Sequence, residues 1–179
     1  MPSDKDRLYV ALYVRGGAPK MPGKEDTYHW ALLVGPKNEV ANGKGMRYHA
    51  KERIVGSNAS EWYFEEREIG LGQTLMVLIR VMIAKVEDRD RIISIIRNTP
   101  IRQGVAGWNC VGWLQEALQR LEADGKALGT GVTDWAKIRN AAMEYCQRKK
   151  AEHRFDGQGI FDMTKVATYD LIERKEKIP

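Results

Sequence analysis

The period of hydrophobicity changes once along this chain, near Glu87, and that change does most to limit its fold. Before it, β-prone runs cover residues 7–14, 27–34, 45–50, 61–69 and 73–86. Between them stand turn clusters such as Gly16-Gly17, Gly35-Pro36-Lys37-Asn38 and Gly70-Leu71-Gly72. Runs of this length broken by such residues read as an antiparallel sheet with short connections. After Glu87 the apolar residues recur at helical spacing. Ile92, Ile93, Ile95 and Ile96 suit a short helix that starts near Asp88 and stops before Pro100. Asn109 can cap a second helix that ends at Asp124-Gly125, with Cys110, Leu114, Ala117, Leu118 and Leu121 on one stripe. A third helix begins after Thr133 or Asp134 and turns Trp135, Ile138, Ala142 and Tyr145 inward. The expected class is α+β, with helices packed on one side of a largely antiparallel sheet.

At 179 residues with 43% apolar content, the chain suits one domain spanning residues 1–179. The stretch 156–179 reads as a peripheral tail, because Met163, Val166 and Leu171 fit a helix while Thr168 and Tyr169 tolerate a strand. A net charge of +5 is too modest and too dispersed to imply nucleic acid. The densest basic cluster, Arg148-Lys149-Lys150 with Arg154, falls in helical sequence and reads as a solvated face. The longest apolar stretch, residues 75–86, is interrupted by Arg80 and Lys85 and is shorter than the roughly 20 residues a membrane helix needs. Residues 1–7 are charged and lack a secretory signal core, so an intracellular, cytoplasmic protein is expected. Two cysteines, Cys110 and Cys146, match neither a disulfide framework nor a zinc knuckle and read as free thiols.

Chemistry gathers around three residues. His29 lies in the strand-like run Tyr28-His29-Trp30-Ala31-Leu32-Leu33-Val34-Gly35, His49 lies in Arg47-Tyr48-His49-Ala50, and Cys110 opens the second helix. A thiolate is the reactive form of cysteine, and a helix N-terminus and a nearby imidazole both favour it. Cys110 is therefore the candidate nucleophile, His29 its base, and His49 the residue that orients His29. The N–H of Cys110 could serve a developing oxyanion, with Gln103 as a second donor. Trp30, Trp108 and Trp113 are candidates for a substrate-binding wall. Each feature has a plainer reading: a cysteine at a helix start is often a small core residue, a strand histidine is often a hydrogen-bonded one, and aromatics near such elements are often core. Cys146 reads as packing and His153 as solvated. Zinc held by His29, His49 and Cys110 lacks the usual short ligand pairs, and no nucleotide-binding glycine motif is present, so neither metal nor cofactor is expected.

These residues resemble the circularly permuted branch of the papain-like, NlpC-type superfamily, above all the lecithin retinol acyltransferase-like family. That family carries a strand motif His-Trp-Ala-x-Tyr-Val-Gly, a second strand with a polar residue that is often histidine, and Asn-Cys-Glu-His-Phe at a helix start. Here His29-Trp30-Ala31-Leu32-Leu33-Val34-Gly35, His49 and Asn109-Cys110 match in kind and order. Leu33 stands for the tyrosine, and Val111-Gly112-Trp113 for Glu-His-Phe. The PPPDE proteases are similar in a strand histidine followed by an Asn-Cys helix. The resemblance implies a cysteine hydrolase or acyltransferase that forms a thioester on an ester, thioester or amide substrate, with small-molecule, acyl or peptide partners. A PPPDE-like isopeptidase and a binding or scaffold module that keeps the fold without catalysis are the alternatives.

Overall fold

The computed structural model describes residues 5–179, so the first part of the charged N-terminal segment, residues 1–4, lies outside the described residues. Eight strands form one mostly antiparallel sheet, and three helices pack on it. The strands are β1 (Arg7–Val14), β2 (Tyr28–Gly35), β3 (Lys44–Val55), β4 (Ala59–Gly70), β5 (Val77–Val86), β6 (Leu128–Gly131), β7 (Ala167–Asp170) and β8 (Lys175–Ile178). The helices are α1 (Arg89–Arg97), α2 (Cys110–Asp124) and α3 (Trp135–Ala151). The order across the sheet is β4-β3-β2-β1-β5-β7-β8, with β6 also paired to β5. The single parallel pair among these is β5 with β7.

Side-chain alternation divides the sheet into two faces. Trp30, Leu32 and Val34 of β2 and Ile79, Val81 and Ile83 of β5 join Ile92 and Ile96 of α1, Leu114 and Leu118 of α2, and Ile138 and Ala142 of α3 in one core. All three helices thus lie on one face, as the amphipathic stripes predict. On the other face Ala11, Tyr13 and Ala31 pack with Val77 and Val166, and Tyr9 and Leu33 with Leu71 and Met82. The central strand β1 is buried on both faces, so its sequence is continuously apolar from Leu8 to Val14, where residues 46–51 of β3 alternate.

The helix boundaries follow local chemistry that the sequence displays. Asp88, Asn109 and Asp134 each accept a hydrogen bond from a backbone N–H of the first turn that follows. Gly125 ends α2 in the left-handed conformation, at φ 69°, and returns its N–H to Leu121 O.

The C-terminal third departs from expectation. Residues 156–179 are not a peripheral tail, because β7 enters the sheet beside β5 and β8 completes it. The short strand β6 was likewise absent from the sequence reading. The basic cluster is not a solvated face either: Arg148 and Lys150 are exposed, but Lys149 and Arg154 are buried. Lys149 Nζ donates to Glu152 and Glu176, each at 2.9 Å, and Arg154 donates to the carbonyls of Lys165 at 2.7 Å and Pro179 at 3.2 Å. Four-residue strands have too little apolar periodicity to stand out, and their positions are fixed by these long-range cationic ties.

Lys149→Ala is expected to lower the unfolding free energy by about 2–3 kcal/mol in urea denaturation, since it strips Glu176 of its buried cation and leaves a void. An exposed-face substitution, Lys150→Ala, is expected to change it by less than about 0.5 kcal/mol.

Candidate functional site

The site begins with a gap in the sheet. Along its whole length β2 pairs with β1, but only Leu32, Leu33 and Val34 pair with β3, opposite Tyr48, Arg47 and Met46. From Ala31 back to Tyr28 the two strands part. The N-terminus of α2 packs there, and the N–H of Trp30 points at Cys110 Sγ. Sheet N–H groups lie roughly in the plane of the sheet, so the sulfur sits at the edge of β2 where β3 has turned away. The N–H groups of Cys110 and Val111 also point at it. Asn109 holds the helix start by accepting from Val111 N at 3.0 Å and Gly112 N at 3.3 Å.

His29 and His49 come together as the sequence reading requires. His29 Nε2 lies 2.6 Å from His49 Nδ1, and His49 Nε2 lies 2.8 Å from Glu65 Oε1. Glu65 faces His49 directly in the β3–β4 register and also meets Arg47 at 3.2 Å and Lys51 at 3.6 Å. The carboxylate fixes the protons along this relay. Burial pushes the Glu65 carboxyl up, but the hydrogen bonds from His49 and Arg47 and the charge of Lys51 outweigh it and hold it down at about 2. An ionised carboxylate only accepts, so His49 carries its proton on Nε2 and its Nδ1 is an acceptor. His29 Nε2 must then donate to His49. The remaining nitrogen, His29 Nδ1, is left as an unprotonated base.

Both rings are neutral at neutral pH. Burial, and then His49 and the cations Arg15, Arg47 and Lys51, lower His29 to about 3. Burial lowers His49 to about 4 against the opposing pull of Glu65. For Cys110, burial raises the thiol above its ordinary range, while the Trp30 N–H, Arg15 and the Val111 and Cys110 N–H groups pull it down. Burial is the largest of these effects, so the expected low-pKa thiolate is not the resting state. No hydrogen bond joins Cys110 to His29; the sulfur instead meets the N–H of Trp30, the residue that follows His29.

Two residues of the site were missed in the sequence. Glu65 is one of many acids in an alternating strand, and only the β3–β4 register aims it at His49. Arg15 follows β1, and its Nη1 lies 3.8 Å from Cys110 Sγ. Its loop is pinned: Asp26 accepts from Lys20 N at 2.7 Å and Met21 N at 3.1 Å, and Arg139 ties Glu25 at 2.9 Å and Gly23 O at 2.8 Å.

Other expectations need correction. Gln103 is not free to serve an oxyanion, because its side-chain amide pairs with both backbone groups of Trp62 and covers the edge of β4. Trp30 and Trp113 are fully buried and belong to the core, where their indoles donate to Glu25 O at 2.8 Å and Thr99 O at 3.4 Å. Trp108 does line a cleft, of about 720 Å³, with Arg15, Lys20, Asn109 and Trp62, whose ring it meets edge-on at 5.5 Å. Cys146 is buried and free, as Cys110 is. His153 is exposed and bonds Asp156 at 2.6 Å. No group of three or more potential metal ligands gathers among the described residues.

The chain belongs to a family described as of unknown function, DUF6914, whose model matches residues 5–178. No curated protein and no solved structure matches it.

The neutral histidines give stability a pH signature. Their folded values lie below the ordinary 6.5, so on acidification the unfolded chain takes up protons first. Their stabilising contribution is complete above pH 6.5 and is lost as pH falls, down to about 4 for His49 and about 3 for His29. Urea denaturation between pH 7 and pH 5, above the range where Glu65 titrates, is expected to show falling stability. The double variant His29→Asn, His49→Asn is expected to flatten that slope; an unchanged slope contradicts the assignment.

Proposed function

We propose that this DUF6914 chain is a thiol hydrolase or acyltransferase of permuted papain-like build, with Cys110 as nucleophile, His29 as base and His49 as its orienting partner. The observation that carries the reading is the relay's polarity: Glu65 and His49 leave His29 Nδ1 unprotonated, beside the peptide whose N–H points at the Cys110 sulfur. The order of elements, two histidine strands and then the cysteine helix, supports the permuted fold.

The chemistry starts from a neutral pair. Substrate binding brings the carbonyl carbon to Sγ, and the thiol proton passes to His29 Nδ1 as the C–S bond forms. Apo contacts of this kind are commonly loose and tighten in the complex. Negative charge develops on the carbonyl oxygen, and Arg15 is the cation placed to meet it, in the role first assigned to Gln103. Collapse expels the alcohol, thiol or amine, which takes the proton back from His29 and leaves a thioester on Cys110. Water or an acceptor then attacks with the same base. Trp62 and Trp108 give the cleft an apolar wall for the acyl or peptide portion.

A non-catalytic binding module is the second reading, and the burial of Cys110, which raises its thiol, is the observation that favours it. Incubation with an electrophilic acyl probe, read by intact mass, separates the two. Wild type is expected to gain one adduct, and Cys110→Ala none. His29→Ala is expected to slow labelling at least about 100-fold and His49→Asn about 10- to 100-fold. Arg15→Gln is expected to slow it about 10- to 100-fold. A folded wild-type protein that forms no adduct at Cys110 contradicts the enzyme reading.

A further inference from the structure

On the face of the sheet away from the helices, a cleft of about 460 Å³ is lined by Tyr13, Arg47, Arg67, Glu68, Gln73 and Arg80, among others. Its charges are placed at a cost. Arg47 and Arg67 stand directly opposite each other in the β3–β4 register, where like charges repel. Arg47 lies over the Tyr13 ring, 5.4 Å from its centroid, and gives Nη2 to Glu65. Arg80 is only 4% exposed; its Nη1 donates to Leu71 O at 2.8 Å and lies 3.5 Å from Glu39.

What these contacts leave over points to a ligand. The Nε groups of both Arg47 and Arg80 are buried and have no hydrogen-bond partner among the described residues. Arg67 makes no ion pair there, and the one carboxylate in the lining, Glu68, pairs outward with Lys44 at 3.3 Å. Buried donors without acceptors are rare and unfavourable. Glu65 and Glu39 each meet one nitrogen, of Arg47 and Arg80 respectively, and Arg67 has no carboxylate partner among the described residues, so the three guanidinium groups together retain donors for an acceptor with several oxygens. Phosphate carries close to two negative charges and three acceptor oxygens, whereas a carboxylate has one charge and two oxygens.

We propose that this cleft binds a phosphate group, supplied by free phosphate or by a phosphomonoester. The site does not depend on Cys110 being a nucleophile. It adjoins the histidine relay through Arg47, which shares Glu65 with His49.

Calorimetric titration of the full chain at constant ionic strength tests this, with inorganic phosphate in one arm, glycerol phosphate in a second and sodium chloride as the blank. Saturable binding at one site per chain is expected. Arg67→Gln, at an exposed position, is expected to weaken it at least about 10-fold while leaving the thermal melt unchanged, and Lys126→Gln, an equal charge loss elsewhere, to leave binding intact. Glycerol phosphate binding at least about 10-fold tighter than phosphate identifies a phosphomonoester as the ligand, and any smaller preference identifies free phosphate. Absence of saturable binding in both arms, or equal affinity in wild type and Arg67→Gln, overturns the proposal. Failure of acyl-probe labelling leaves this result unaffected, so the two readings fail separately.

Discussion

A carboxylate that has no proton to give sets the direction of every hydrogen bond in the candidate site. Glu65 accepts from His49, which forces His49 to accept from His29 and leaves His29 with one basic nitrogen. Arg47 and Lys51 keep Glu65 ionised against its partial burial. Without this carboxylate, both imidazoles could exchange tautomers, and His29 Nδ1 would carry the proton for part of the time. A carboxylate in the second row behind a histidine pair thus does more than add charge. It selects which nitrogen is a base, and it does so at the cost of burying two rings in neutral form.

The sheet supplies the place for this base to act. A fully paired β2–β3 ladder would use the Trp30 N–H and close the edge to α2. By pairing over only three residues of β2, the strands leave that edge to the helix N-terminus. The Asn109 cap, the converging N–H groups and Arg15 then favour negative charge at the same point. Burial opposes them and wins in the resting state. Under the proposed hydrolase or acyltransferase function, such a site would hold its thiol in reserve and couple deprotonation to the arrival of a substrate whose developing charge Arg15 can meet. The arginine cleft adjoins the relay on the same face, since Arg47 and His49 lie two residues apart on β3 and share Glu65.

Features set by near neighbours in the chain were legible in the sequence, and those set by register were not. The caps at Asp88, Asn109 and Asp134 and the stop at Gly125 act within one helical turn, so they could be read. The stripe from Cys110 to Leu121 is periodic over about three turns, and all five of its residues face the core. His29 and His49 could be singled out because histidine is rare in this chain. Glu65 could not, because its sequence neighbours Glu61, Glu66 and Glu68 look equivalent until β4 is placed on β3. Arg15 and Gln103 show the same limit from opposite sides. One meets Cys110 across 95 residues of chain, and the other, nearer in sequence, is drawn to the exposed edge of β4. Lys149 and Arg154 looked solvated because cationic helix ends usually are. Their partners, Glu176 and the carbonyls of Lys165 and Pro179, lie in a segment whose strands are too short to read.

The tautomer of His29 is the property on which the account turns, and ¹⁵N chemical shifts of the imidazole nitrogens at pH 7 report it directly. The relay predicts neutral rings at both positions, with His29 protonated on Nε2 and bare on Nδ1, and with His49 protonated on Nε2. Glu65→Gln should disturb that assignment, since an amide can donate to His49 as well as accept. A protonated Nδ1 on His29 in the wild-type protein, whether as the other tautomer or as an imidazolium, would contradict the account.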